Sequence, residues 1–312
     1  LDPLVANAKA IIEQGSKSFA AASKLFDEQT RAKAFMLYAW CRHCDDRIDG
    51  QELGFGQNSP QPAEQRAILQ QLTQQTQAAM SGEVMEDPVF AAFQRVFVES
   101  EMPQRYPLDL LHGFQMDVDD HPYRSFDDTL VYCYHVAGVV GAMMATIMGV
   151  KDAEILNRAV DLGIAFQLTN ISRDVMEDAA DGRIYLPADW LGQAGVPEDP
   201  ARFPGHEAQI FSVVAKVLAE ADRYYDSAVF GIAHLPFRSA WAIAAARSVY
   251  GAIGSVVRER GAAAWRQRAS LSSLQKAYKL FGSLATAGNA KLFARYRSAP
   301  SRDGLWTLSR QL

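Results

Sequence analysis

Residues Arg31 to Gly50 read RAKAFMLYAWCRHCDDRIDG. Apolar side chains recur at three-to-four-residue spacing among good helix formers, which predicts a helix. Wound at about 100° per residue, it places Tyr38, Arg42, Asp45 and Asp49 within an arc of about 60°. Ala34, Phe35, Leu37, Ala39, Trp40, Cys41 and Ile48 make the surrounding surface largely apolar. A surface helix shows a wide polar face and a narrower apolar one. Here the ratio is inverted, so the polar stripe is expected to face an interior cavity. Asp45 and Asp49 lie one turn apart, about 6 Å along the axis. Two carboxylates that close repel in a partly buried site unless a cation lies between them. Hard oxygen ligands suit Mg²⁺ or Mn²⁺. Taken alone, the pattern is a weak signal and better fits a solvated acidic helix end with Asp46 and Arg47 in local ion pairs.

A second stretch changes that balance. Leu162 to Tyr185 reads LGIAFQLTNISRDVMEDAADGRIY. On the same wheel Gln167, Asn170, Asp174 and Asp178 cluster within about 80°, beside Ile164, Phe166, Leu168, Ile171 and Val175. Two such stripes, about 125 residues apart, are harder to explain as core polar pairs. If they face one cavity, four carboxylates converge, and burying that charge without cations is very costly. A metal held by so few carboxylates keeps open positions for water and substrate phosphates. Lys17 and Arg42 near the first stripe, and Arg173 and Arg183 near the second, suit phosphate oxygens. Neither GxxxxGK[ST] nor GxGxxG occurs, so nucleotide-binding loops are not indicated. The residues alone thus predict an all-α, Mg²⁺-dependent site for a diphosphate, opening into an apolar interior.

The rest of the chain is consistent with one large helical domain. It has 312 residues, a net charge of −5, 49% apolar and 21% charged residues, and 3 Cys. High apolar content with low net charge excludes disorder. The acidic balance argues against a nucleic-acid partner. An odd, small cysteine count excludes a disulfide framework and fits a reducing compartment. Cys41 and Cys44 form a CxxC around His43, but a zinc site needs a second ligand cluster and a redox pair sits at a helix start, so both read as small buried thiols. No basic segment followed by an apolar run opens the chain, so no secretory signal is expected. The longest apolar run, Val136 to Val150, has 15 residues, short of the ~20 that span a membrane, and reads as a core helix. Helical periodicity appears near 3–24, 29–49, 62–80, 87–100, 105–117, 125–149, 152–180, 206–231, 236–265 and 272–288. The Pro- and Gly-rich breaks between them are too short to mark a boundary, so 1–312 is expected to form a single all-α domain packed as a bundle. Asp117, in GFQMD, falls inside an apolar helix and fits either a site acid or a helix-end acid.

YAWCRHCDDRID (Tyr38 to Asp49) and QLTNISRDVMEDAADGRIYLP (Gln167 to Pro187) together resemble the squalene/phytoene synthase family. GSKSF (Gly15 to Phe19) resembles that family's N-terminal flap, and YCYHVAGVVG (Tyr132 to Gly141) its central substrate-lining helix. The resemblance spans nearly the whole chain. It implies the isoprenoid-synthase-type helical bundle around a central cavity and head-to-head prenyl transfer. It implies that Asp45, Asp49, Asp174 and Asp178, with Asn170, bind Mg²⁺. Tyr38, Arg42, Gln167, Arg173, Arg183 and Tyr185 would contact diphosphates or their metals. Ser16, Lys17, Ser18 and Phe19 would close over the site, and Tyr250 and Arg268 would add a further clamp. Ala137, Gly138 and Gly141, with Ala142 and Ala145, would leave room for a prenyl chain, while Phe19, Tyr38, Tyr132, Tyr134 and Phe166 are candidates for cation shielding.

The substrate so implied is geranylgeranyl diphosphate, used twice, giving 15-cis-phytoene through a cyclopropyl diphosphate in carotenoid biosynthesis. The expected cofactor is Mg²⁺, or Mn²⁺, with no NADPH. Three other readings stay open: a sister reaction on C15 substrates giving squalene, dehydrosqualene or hydroxysqualene; a class I terpene cyclase; and a non-catalytic assembly factor, which loss of the acids would mark. The expected location is the cytoplasm, with peripheral membrane contact, and with other enzymes of the same pathway as partners. The basic stretch from Ala294 to Leu312, with Arg295, Arg297, Arg302 and Arg310, reads first as a solvated basic tail, with contact to anionic lipid as the alternative.

Overall fold

A computed structural model describes residues 2–15, 20, 22–51, 60–293 and 299–307. Among these residues every regular element is helical. The α-helices are α1 (Pro3–Gly15), α2 (Glu28–Asp49), α3 (Pro62–Ser81), α4 (Pro88–Glu99), α5 (Arg105–Val118), α6 (Phe126–Cys133), α7 (Val139–Ile147), α8 (Ala153–Ala180), α9 (Ala188–Gln193), α10 (Glu207–His234), α11 (Phe237–Arg260) and α12 (Ser273–Phe293). A π-helical turn, Tyr134–Gly138, joins α6 to α7.

Local chemistry sets the helix ends. Asp27 caps α2 by accepting from the Thr30 amide at 2.9 Å, and Gly50 ends it at φ 64°, where a Cβ would be strained. Asp87 and Asp152 cap α4 and α8 in the same way, and Ser125 and Asp128 form a capping box on α6.

Within the chain, contacts group into two compact units: 1–119 with 142–151, and 120–141 with 152–312. In the first unit Trp40 of α2 is fully buried, stacks on Phe93 of α4 at 4.4 Å and donates to Thr76 Oγ1 of α3 at 3.3 Å. In the second unit α8 is the central helix, packed by α10, α11 and the π-helical turn. The approach of that turn to α8 requires glycine. A Cβ on Gly163 would stand 2.2 Å from the Ala137 carbonyl oxygen, and one on Gly141 would stand 2.2 Å from that of Ala159. The segment 299–307 is also tied into this unit, with Leu305 and Trp306 buried.

Among the described residues, two helical stretches are long and apolar enough to cross a membrane by length and composition, Phe126–Ile147 and Phe237–Arg266. The first is 61% buried within the protein, as its reading as a core helix requires.

Candidate active site

In the first unit α2 is buried on nearly every side. Tyr38, Cys41, Arg42, Asp45 and Asp49 form its half-exposed strip. Arg42 donates to Asp45 Oδ2 at 2.9 Å and pairs with Asp46 Oδ1 at 2.8 Å. Asp46 is thereby neutralised inside, whereas the Asp45 side chain keeps 40% of its accessibility. Burial, followed by the neighbouring Asp49 charge, pushes the Asp45 carboxyl up to about 7 against the pull of Arg42. Asp117 of α5 adds to that field, which places it beside the stripe and not at an isolated helix end. Burial also raises the Tyr38 phenol. A Cβ on Gly15 would sit 2.9 Å from the Tyr38 hydroxyl, so α1 ends against the stripe. Ser16, Lys17, Ser18 and Phe19, the expected flap, lie outside the described residues.

In the second unit Phe166, Gln167, Asn170, Arg173, Asp174 and Asp178 form the corresponding half-exposed strip of α8. Arg173 grips Asp174 through both its Nε, at 2.8 Å, and its Nη2. Arg268 donates to the same Asp174 Oδ2 at 3.0 Å and approaches Glu177 at 3.6 Å. It is steered there by Trp265, whose Nε1 donates to the Ser172 carbonyl at 3.2 Å. Asn170 donates to Gln167 Oε1 at 3.4 Å, and its own Oδ1 is buried with no hydrogen-bond partner among the described residues. Burial and then Asp174 push the Asp178 carboxyl up to about 7, with Arg183 opposing. Asp178, Arg183 and Tyr185 line one recess. Tyr250 of α11 stacks on Phe166 at 4.3 Å, and Tyr225 of α10 donates to or accepts from Thr169 Oγ1 at 2.9 Å.

These donors fit a hard divalent cation. Each strip offers carboxylate oxygens whose charge the protein does not fully compensate, and Asn170 Oδ1 is a buried acceptor without a donor. No group of three or more His, Cys, Asp or Glu converges on one point among the described residues. Mg²⁺ needs no such cage, because it binds through one or two carboxylates and keeps positions for water and phosphate.

The squalene/phytoene synthase family model matches residues 12–275. The chain belongs to the squalene/phytoene synthase family. The 15-cis-phytoene synthase of Pantoea ananas is 51% identical over 94% of this chain and 94% of its own length. That of Paracoccus sp. is 47% identical over 98% of both. A crystal structure of a dehydrosqualene synthase in complex with ligand superposes with a TM-score of 0.81, at 28% identity, over 92% of this chain and 97% of that one.

In this squalene/phytoene synthase family member, some expected site residues also serve packing. Gly138 and Gly141 press against α8: a Cβ on Gly138 would meet Val160, Ile164 and Tyr134 at 3.2–3.3 Å. Their smallness therefore lets the helices approach closely, while Gly141 stays half-exposed. Ala137, half-exposed on the same turn, remains accessible. Tyr132 and Tyr134 are core residues, the first stacked on Tyr185 at 4.7 Å and the second on Trp306 at 3.9 Å. Tyr185 is itself buried at 8% exposure, so it walls the recess from behind. Arg302 turns inward to Asp161 and is not a lipid-facing residue. Sequence reasoning missed Trp265 and Tyr225, because each acts from outside the motifs; only the helical spacing of their own segments signalled them. Cys41, Cys44 and Cys133 are free; Cys44 and Cys133 are buried and Cys41 is half-exposed, and all three thiols are raised by burial, Cys41 up to about 12, which keeps them unreactive.

Proposed function

We propose that this protein condenses two molecules of geranylgeranyl diphosphate head to head into 15-cis-phytoene, releasing two diphosphates, with Mg²⁺ held by Asp45, Asp49, Asn170, Asp174 and Asp178. The observation that carries the reading is identity near one half, along nearly the full chain, with proteins named 15-cis-phytoene synthase.

Bound Mg²⁺ would draw electron density from the diphosphate oxygens and so assist departure of the leaving group. The chain's own residues do the rest. Arg268 and Arg183 present guanidinium groups beside Asp174 and Asp178, suited to bidentate contact with diphosphate oxygens. Arg173 and Arg42 orient Asp174 and Asp45, and reach a diphosphate only when those pairings open. In the first half-reaction the allylic C–O bond of one substrate breaks. The double bond of the second captures the cation, and proton loss closes a cyclopropyl diphosphate. In the second half its C–O bond breaks, the skeleton rearranges and a proton leaves to form the central double bond. Such cations must be kept from water. The stacked faces of Phe166 and Tyr250 shield and stabilise positive charge by roughly 0.5–2 kcal/mol each. Ala137 lines the path of a prenyl chain. The enzyme works in the cytoplasm, against a membrane that receives its C40 product.

Incubation with geranylgeranyl diphosphate and Mg²⁺, followed by hydrocarbon extraction, is expected to give a C40 product that EDTA abolishes and that Asp174→Asn loses. Absence of that product from the wild type overturns the reading. A C30 product from farnesyl diphosphate, made in preference, would instead favour the C15 reaction, to which the fold likeness with a dehydrosqualene synthase lends support.

A further inference from the structure

The last described helix, α12, carries an apolar ridge that is exposed among the described residues. Leu274, Tyr278 and Phe281 are 81%, 76% and 70% exposed, and Leu284 is 40% exposed. Their spacing of four and three residues puts the first three on one face. The opposite face holds the helix in place: Ser283 and Ala287 are buried, and Trp241 Nε1 of α11 donates to the Leu280 carbonyl at 3.0 Å. That bond sets α11 against the face of α12 opposite the ridge. A soluble monomer seldom leaves such a contiguous patch open without a use for it.

Charge identifies the occupant. The whole chain is at −5, yet no Asp or Glu occurs between Gly261 and Arg302, a stretch that holds eight Lys and Arg. On α12 itself the charges are Lys276, Lys279 and Lys291. At about 100° per residue, Lys279 and Lys291 fall on opposite flanks of the ridge. An apolar face with basic flanks and no acid is the pattern of a helix that lies in the interface of an anionic bilayer. A second copy of the chain would offer this face no acidic complement from the same segment.

We propose that the α12 ridge docks on anionic lipid and holds the enzyme at the bilayer surface. This builds on the proposed function, in which substrate and product are long hydrocarbons. The docking is independent of catalysis and is tested without it. Flotation of the full chain is compared on vesicles of phosphatidylcholine alone and of equal parts phosphatidylcholine and phosphatidylglycerol. Wild type is expected to float with the anionic vesicles and not the neutral ones. The triple variant Leu274→Ser, Tyr278→Ser, Phe281→Ser is expected to bind at least about tenfold more weakly, from the apolar area lost. Lys279→Glu with Lys291→Glu is expected to lose the anionic preference.

All variants should keep their helical circular dichroism and their turnover in detergent, since none of these side chains belongs to the catalytic machinery. Absence of wild-type binding to anionic vesicles overturns the proposal, as does equal binding by the triple variant. A concentration-dependent dimer that the triple variant dissolves, without lipid binding, assigns the ridge to a second copy and also overturns it. Failure to make a C40 product would overturn the proposed function and leave the flotation result standing.

Discussion

At the scale of single residues, one side chain in each strip carries the unmet charge. Asp174 is held by Arg173 and Arg268, while Asp178 has only Arg183 to oppose burial and the Asp174 field. Arg268 is 55% accessible and is the one of these arginines best placed to move to a diphosphate. Arg268→Gln is therefore expected to lower kcat/KM about 10- to 100-fold, as loss of a charged hydrogen bond does, while the thermal shift given by Mg²⁺ persists. Loss of that shift would make Arg268 a support for the metal ligand instead. Asp27 supplies a pH-dependent contribution of known sign. Its carboxylate accepts from the Thr30 amide and hydroxyl, and those bonds hold its pKa below the ordinary 3.8. The native state binds fewer protons here than the unfolded one, so the cap contributes fully above pH 3.8 and is lost as pH falls through the depressed value. Asp27→Ala should cost about 1 kcal/mol near neutral pH and less in acid, read by denaturant titration at both.

At the scale of elements, helix periodicity made most of the architecture legible. The stripes on α2 and α8 were readable because a helix repeats every 3.6 residues, so sequence spacing converts directly into a face. The same logic found the helices flanking Pro62, Pro88 and Phe126 to within a residue or two. It did not find the π-helical turn at Tyr134–Gly138, which departs from that period. Nor could it separate the two uses of small residues, space for a ligand or contact between backbones, because both ask for Gly or Ala. Here the distances show the backbone contact. Gly163→Ala and Gly141→Ala each drive a Cβ toward a backbone oxygen and should destabilise by about 1–3 kcal/mol or more. Ala137→Phe should leave the melting temperature nearly unchanged yet reduce conversion of the C20 substrate. Undiminished activity of that variant would remove Ala137 from the wall of the prenyl path.

At the scale of the whole molecule, a buried ion-pair network fastens 299–307 to the second unit. Asp161 is fully buried and accepts two bonds from Arg302, at 2.8 and 2.7 Å, with Ser227 as a further donor. Arg158, 2% exposed, donates to Ser227 Oγ at 2.8 Å and to the Pro300 carbonyl at 2.7 Å. Trp306 lies over Tyr134, and its amide donates to the Tyr224 hydroxyl at 3.0 Å. Arg302→Ala would leave Asp161 charged and unpaired inside, at a cost of about 3–5 kcal/mol. The predicted loss is measured by urea unfolding, with Arg302→Lys as the conservative control. A loss below about 1 kcal/mol would mean that water replaces the guanidinium, as at a surface pair.

The sequence by itself determined the helical class, the two aspartate stripes and the family, because each is written in residues that are neighbours along one helix. Only the tertiary structure decided the partners of Asp161, 141 residues from Arg302, and the use of Gly141 as a contact with α8. It alone decided that the outer face of α12 is exposed among the described residues, since an amphipathic pattern reads the same whether its apolar side is packed or left bare. Contacts between distant segments depend on how helices are laid together, and no spacing along the chain encodes that.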